Sequence, residues 1–301
     1  MSLPSLLPLP LPGIVLMRSN ALQYDLTAPA TLEAVLEILA YEPGQYTLIA
    51  GGTEIMVALA AGRLTAKKLV SINHLQELRF IAVTPDTITI GSGTTFTDIR
   101  KHPVIQSDFP LLEQAASWTG SIANQNRATL GGNIVNASPA ADTPPALLAC
   151  EATLTLVSKR GTRTMSYTDF HLGYKKTALA PDELLHSIHI KRNLNGYIPY
   201  TRKVGTRNAQ AISKVALAAL CLTAEGVVKD IRIGAASLQD RPARLTATEQ
   251  ALLNQPITPA TIAAARAALL TETHPIDDIR STAQYRAHVA ANLLEEFLLS
   301  L

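Results

Sequence analysis

Apolar residues follow two different periods at the start of the chain, and together they predict a small β/α unit. After Thr31, a residue type that caps helices, apolar residues recur at helical spacing at Leu32, Val35, Leu36 and Leu39. This helix is predicted over 31–44. β-rich runs predict two strands, at 46–50 and 68–72, and a short helix is predicted between them at 55–61.

The pattern then changes to hairpins mixed with helices. Alternating runs around short polar turns predict hairpins at 79–93 and 154–166, and helices are predicted at 94–102, 105–118 and 142–150. LLHSIHI at 184–190 alternates as a strand with one buried face. Strand alternation puts His186 and His189 on opposite faces, so we expect neither to bind a metal.

A third unit begins near residue 193. Three strands of an antiparallel sheet are predicted at 200–204, 214–223 and 227–236. Two helices are predicted after them, at 258–271 and 281–299. The apolar, proline-rich start lacks the basic region of a signal peptide and is too short to span a membrane. We predict that residues 1–20 form an unstructured extension. Three units are predicted after it, at 21–76, 77–192 and 193–301.

Composition narrows the function classes. Charged residues make up 17% of the 301 residues, below the roughly 25% usual for soluble domains, which suits a chain partly covered by partners. The net charge of +2 is too small for nucleic-acid binding. Cys150 and Cys221 are the only cysteines, so the chain offers no iron–sulfur cluster, and buried thiols suit the cytoplasm.

The segment LIAGGTEI, from Leu48 to Ile55, places a double glycine between a strand and a short helix. Gly51 and Gly52 leave the backbone bare, and successive N–H groups there can face an anion, with Thr53 adding a hydroxyl. Glu54 would repel a phosphate, so we expect it to cap backbone N–H groups or face away. The segment is not a P-loop, because no lysine directly follows the glycines. It is not a Rossmann fingerprint either, because the G-x-G-x-x-G pattern is incomplete.

A second double glycine follows at Gly131 and Gly132, between Thr129 and Asn133. Short polar groups continue to Asp142, and they suit a polar cofactor. The alternative is a plain turn in which Asp142 caps the helix that begins with Pro144. Taken singly, each double glycine remains compatible with an ordinary turn.

Together with their neighbours, the two glycine segments resemble one family. Seven segments occur in family order from about residue 22 to the C-terminus, and the sequence resembles the FAD-binding medium subunit of the xanthine dehydrogenase family, which includes carbon monoxide dehydrogenase. The matching segments are YDLTAPATLEAVLEIL, LIAGGTEI, LVSIN, ITIGSGTTFTDI, NRATLGGNIVNASPAAD, GYKKTALAPDELLHSIHI and RKVGTRNAQAISKVALAA.

The resemblance implies an α+β fold: the FAD-binding fold of vanillyl-alcohol oxidase-type (PCMH-type) flavoproteins in two α/β subdomains, plus a C-terminal α+β domain. It implies that the first corner holds the FAD pyrophosphate and that the second faces the flavin and pyrophosphate. Asp142 would bond the cofactor, Leu185 would pack beside the isoalloxazine and Lys203 would lie near the flavin. The implied set is Leu48, Ile49, Ala50, Gly51, Gly52, Thr53, Glu54, Ile55, Thr129, Gly131, Gly132, Asn133, Asp142, Leu185 and Lys203.

The family also implies the partners. A large subunit would carry the molybdenum cofactor and a small subunit two [2Fe–2S] clusters, with electrons leaving through non-covalent FAD to NAD+, a quinone or oxygen. One departure is Gln125, which stands where relatives have an arginine. Two alternatives are a stand-alone reductase of the UDP-N-acetylenolpyruvoylglucosamine reductase type and a scaffold that has lost FAD.

Overall fold

The computed structural model describes residues 23–301, so the predicted N-terminal extension lies outside the described residues. Its first unit is a parallel three-stranded sheet in the order β1-β3-β2, with α1 packed on it. The Thr31 hydroxyl accepts from the Ala34 N–H and begins α1, as the sequence predicts. The elements are β1 Asp25–Thr27, α1 Leu32–Tyr41, β2 Tyr46–Ile49, α2 Ile55–Ala60 and β3 Lys68–Ser71.

The second unit is an antiparallel five-stranded sheet in the order β4-β5-β10-β6-β7, and six short helices accompany it in the described chain. The largest core lies between this sheet and these helices. Its elements are β4 Ile81–Val83, β5 Thr87–Gly91, α3 Phe96–Lys101, α4 Pro103–Asp108, α5 Pro110–Trp118, α6 Ile122–Gln125, α7 Leu130–Val135, α8 Pro144–Ala149, β6 Thr153–Ser158, β7 Gly161–Ser166, β8 His171–Gly173, β9 Lys176–Thr177 and β10 Leu184–Lys191.

The C-terminal unit is a four-stranded sheet in the order β11-β12-β13-β14, covered on one face by three helices. The other face contacts α8, which joins this sheet to the central unit. The elements are β11 Ile198–Val204, β12 Val215–Ala224, β13 Val227–Ala236, β14 Ala243–Arg244, α9 Thr246–Leu252, α10 Pro259–Glu272 and α11 Ala283–Leu299.

Most predicted elements are confirmed, including both hairpins and the three long C-terminal strands. Three differ in physical detail. The helix predicted over 105–118 is two helices, because Pro110 starts a new one. The second double glycine lies inside α7 rather than in a turn. The segment predicted as a helix from Asp142 becomes helical only at Pro144.

The mixture of helices and sheets confirms the α+β class, while the unit boundaries stay predictions. Both cysteines are buried, free thiols, and burial raises the pKa of each to about 12. Within residues 23–301, no helix combines the length and apolar character needed to cross a bilayer.

Gly234 provides a test of how the C-terminal sheet meets α8. A Cβ at Gly234 would lie 2.2 Å from the Pro145 carbonyl oxygen, so Gly234→Ala must push α8 away from β13. We expect a loss of about 1–3 kcal/mol in the free energy of unfolding, measured by urea denaturation. Gly173→Ala is the matched control, because its Cβ would meet only the movable Asp240 carboxylate at 3.3 Å. Equal losses in the two variants would contradict the prediction.

Candidate functional site

The first glycine corner joins β2 to α2, and its two glycines are needed for different reasons. Gly52 has φ +76°, a conformation that glycine adopts without strain. Gly51 instead lies against the second corner segment, since a Cβ there would be 1.8 Å from the Arg127 carbonyl oxygen. Gly51 is therefore required by protein packing, and Gly52 by backbone conformation.

The first corner also has unused donors. Among the residues that the structure describes, the N–H groups of Gly52, Thr53, Glu54 and Ile55 have no backbone or side-chain acceptor. The next N–H, that of Met56, already donates to the Gly52 carbonyl. Four successive free donors on a glycine-bearing loop are the arrangement that binds an anionic group.

The second corner is built differently, because its donors are used within the protein. The Thr129 hydroxyl accepts from the Gly132 N–H at 3.1 Å, and the Thr129 carbonyl accepts from Asn133. The Gly131 N–H donates to the Ser92 carbonyl, and a Cβ at Gly131 would lie 2.5 Å from the Ser92 Cβ. Gly132 is exposed. This corner therefore offers a surface without a side chain rather than free N–H groups.

Two side-chain contacts join the corners into one site. The Arg127 Nε donates to the Gly51 carbonyl at 3.3 Å. Lys175 lies between the corners, with its Nζ 2.7 Å from Asn136 Oδ1 and 3.6 Å from Glu54 Oε1. Of the two alternatives expected for Glu54, the capping of backbone N–H groups is wrong, since its side chain makes no capping bond, while its facing away from them stays a prediction. Its charge is instead offset by Lys175.

Asp142 and Lys203 form a buried ion pair between the central unit and the C-terminal unit. Their side chains are 11% and 9% exposed, and Lys203 Nζ is 2.6 Å from Asp142 Oδ2. Lys203 also donates to the Trp118 carbonyl at 3.0 Å, and the Ser213 hydroxyl donates to Asp142 Oδ1 at 2.6 Å. Burial raises the pKa of Asp142, while Lys203 and Ser213 oppose that rise.

The capping role considered for Asp142 is wrong, because its carboxylate faces Lys203 and Ser213 while Thr143 occupies the N-cap position of α8. The structure thus brings Asp142 and Lys203 together, which the sequence alone did not predict. Leu185 is 3% exposed and belongs to the central core. Its place beside a flavin stays a prediction.

Sequence reasoning missed Arg127, Ser213 and Lys175 as parts of this site. Ser213 directly precedes the apolar strand β12, and a polar side chain at such a boundary was the available signal. Gln125 is buried, and its amide oxygen accepts from Arg100 at 2.6 Å. A guanidinium from α3 therefore contacts the residue that replaces the family arginine.

The two strand histidines are not separated by simple alternation. A β-bulge between Leu185 and Ser187 puts His186 Nδ1 and His189 Nε2 at 3.1 and 3.2 Å from the Ser187 hydroxyl. In the described part of the chain, no three metal-binding side chains converge.

His171 is hydrogen-bonded to α7, the helix that contains the second double glycine. Its imidazole Nε2 bonds the Ile134 carbonyl of α7 at 3.1 Å, and the ring packs edge-on against Tyr167. Burial lowers the pKa of His171 to about 4. The ring is therefore neutral in the folded protein at neutral pH, and Nε2–H donates to the carbonyl.

Acid should weaken the fold through His171. The unfolded chain takes up this proton near pH 6.5 and the folded chain only near pH 4, so stability is full above 6.5 and falls between these values. The total loss is about 3 kcal/mol. Urea denaturation from pH 7 to 4.5 should show a shallower fall for His171→Gln than for the wild type.

A His171→Gln profile parallel to that of the wild type would refute the assignment.

Comparisons with known proteins agree along most of the described chain. The FAD-binding domain of molybdopterin dehydrogenases matches residues 22–191, and the carbon monoxide dehydrogenase flavoprotein C-terminal domain matches 200–301. The putative xanthine dehydrogenase FAD-binding subunit of Escherichia coli K12 is 31% identical over 271 residues, covering 89% of this chain and 92% of that subunit. The nicotinate dehydrogenase FAD-subunit of Eubacterium barkeri is 35% identical, covering 64% of this chain and 66% of its own length.

A solved structure gives the same result. The chain superimposes on carbon monoxide dehydrogenase from Hydrogenophaga pseudoflava with a TM-score of 0.87 and 27% identity, covering 91% of this chain and 95% of that one. The fold expected from the resemblance, an FAD-binding region followed by a C-terminal domain, is thereby confirmed. Since these matches span more than half of the sequence, the chain belongs to the family of FAD-binding medium subunits of molybdenum-containing dehydrogenases, a family of oxidoreductase subunits.

Proposed function

We propose that this chain binds FAD non-covalently across the two glycine corners and serves as an electron-transfer subunit. The observation that carries the proposal is the contact of the corners through Arg127, beside four unused N–H groups from Gly52 to Ile55. A bare loop with free donors fits a diphosphate. The adjoining corner presents an exposed Gly132, which lets a flat ring system approach the backbone.

The remaining residues have distinct proposed roles. Leu48 to Ile55 form the pyrophosphate side of the site, and Thr129, Gly131, Gly132 and Asn133 form the opposite wall. The Asp142 carboxylate accepts hydrogen bonds from two protein donors, Lys203 and Ser213. Its further lone pairs are available to a hydroxyl group of the cofactor. Lys203 lies beside it, and Leu185 is proposed as the apolar neighbour of the flavin ring.

The bound flavin supplies the redox chemistry, and the protein supplies its environment. Lys203 brings one positive charge to the junction of the central and C-terminal units, and Asp142 balances that charge at 2.6 Å. The Trp118 carbonyl and the Ser213 hydroxyl fix both partners. Because this pair is nearly excluded from water, its field is weakly screened.

We further propose that the chain docks between two other chains of a cytoplasmic complex. A large subunit would hold the molybdenum cofactor and a small one the [2Fe–2S] clusters, and the final acceptor would be NAD+, a quinone or oxygen. Support comes from relatives named as medium chains or FAD-subunits. The stand-alone reductase is not favoured, because the alignment with a dehydrogenase subunit extends through 89% of the chain.

Titration of the purified chain with FAD tests the cofactor. We expect saturable uptake, one FAD per chain, with a visible flavin absorbance that survives gel filtration and is released on denaturation. A chain that stays colourless would support the scaffold that has lost FAD.

Affinity purification of the tagged chain from its native source should recover a molybdenum-binding chain and an iron–sulfur chain. Recovery of this chain alone, oxidising NAD(P)H with a small substrate, would support the reductase.

Replacement of Gly52 tests the first corner. Gly52→Val forces a β-branched residue to φ +76° and puts a Cβ 3.3 Å from Met56, so we expect FAD occupancy to fall at least tenfold through the distorted donors. Gly196→Val is the matched control, with φ +84° in the connection between β10 and β11. Both variants should lose stability, measured as Tm, but only Gly52→Val should lose flavin. Full flavin in Gly52→Val would show that this corner does not bind the cofactor.

A further inference from the structure

Arg127 occupies the contact between the two corners. It lies in the connection from α6 to α7, and its carbonyl fills the space that a side chain at position 51 would need. Its own side chain turns back, and Nε donates to the carbonyl of the same Gly51. The main chain and the side chain of Arg127 therefore both contact Gly51, next to the free N–H groups that begin at Gly52.

The charge of Arg127 is unbalanced within the described protein. Among residues 23–301, no carboxylate lies within 4.0 Å of its guanidinium, although the same region holds several arginine–carboxylate pairs such as Arg79 with Asp98. The acid of the corner, Glu54, is already opposed by Lys175. Arg127 is also an exposed residue. An arginine that is anchored by Nε but has no anionic partner leaves its terminal NH2 groups available to a ligand.

We propose that Arg127 binds the pyrophosphate of FAD, donating from its terminal nitrogens while Nε stays on the Gly51 carbonyl. This inference rests on the proposed function. A guanidinium presents several donors in a fixed plane, which suits phosphate oxygens, and charge-assisted bonds of this kind are stronger than neutral ones. Together with Lys175 it gives the corner two cations against the single acid Glu54, so a dianionic diphosphate meets an excess of positive charge.

The assignment has a consequence for ligand selectivity. Arg127 belongs to the segment of the second corner but contacts the first, so a diphosphate bound to it is held by both. Riboflavin has the same ring system without the phosphates. The contribution of Arg127 should therefore appear for FAD and be absent for riboflavin, whereas a purely structural role at the Gly51 contact would affect both ligands.

The experiment measures dissociation constants of FAD and riboflavin for the full chain, freed of flavin, by fluorescence quenching. Arg127→Gln should raise the Kd of FAD by about tenfold to a hundredfold, the loss expected for one charged hydrogen-bonding group, and leave the Kd of riboflavin within about twofold. Arg127→Lys, which keeps the charge, should recover part of the FAD affinity. The FAD Kd of Arg127→Gln should also depend less on salt concentration.

Arg160→Gln is the matched control, because it removes one arginine charge at the exposed turn between β6 and β7. It should leave both dissociation constants unchanged. Unchanged FAD binding in Arg127→Gln, equal weakening of FAD and riboflavin, or an unaltered salt dependence would each overturn the assignment while leaving the proposed function intact. A wild-type chain that takes up no FAD would overturn both.

Discussion

The site depends on the approach of two backbone segments at Gly51. The Arg127 carbonyl lies where a Cβ would stand, at 1.8 Å, so any other residue at position 51 would separate the two units. This contact brings the free donors from Gly52 to Ile55 next to the wall formed by α7. Every proposed role of the two corners follows from this packing, because neither corner alone encloses a ligand.

The ion pair of Asp142 and Lys203 is a second joint, between the central and C-terminal units. A buried pair of charges recovers little net stability, since removing both groups from water costs about as much as their attraction returns. We therefore interpret the pair as fixing position: Trp118 and Ser213 hold its two members, and α8 packs against β12 and β13 close by. The two glycines that meet backbone in these contacts, Gly51 and Gly234, have the same physical role.

Local signals succeeded where local physics decides the outcome. Thr31 begins α1 through its own hydroxyl, and the apolar residues of β12 and β13 pair as an antiparallel hairpin around the predicted turn. Local signals failed for Asp142. Its position before α8 suggested a helix cap, but its carboxylate binds a lysine of another unit. They failed also for the second double glycine, because Thr129 caps α7 and uses the donors that a turn would have left free.

The sequence by itself determined the order of helices and strands, the α+β class and, through its ordered motifs, the family. These depend on neighbours along the chain or on patterns that survive divergence. The tertiary structure decided which corner keeps free N–H groups, which glycine serves packing, and that Asp142, Lys203 and Ser213 form one cluster. The Gly51 contact and the Asp142 cluster join residues 61 to 76 positions apart, and no local pattern encodes a contact over such a distance.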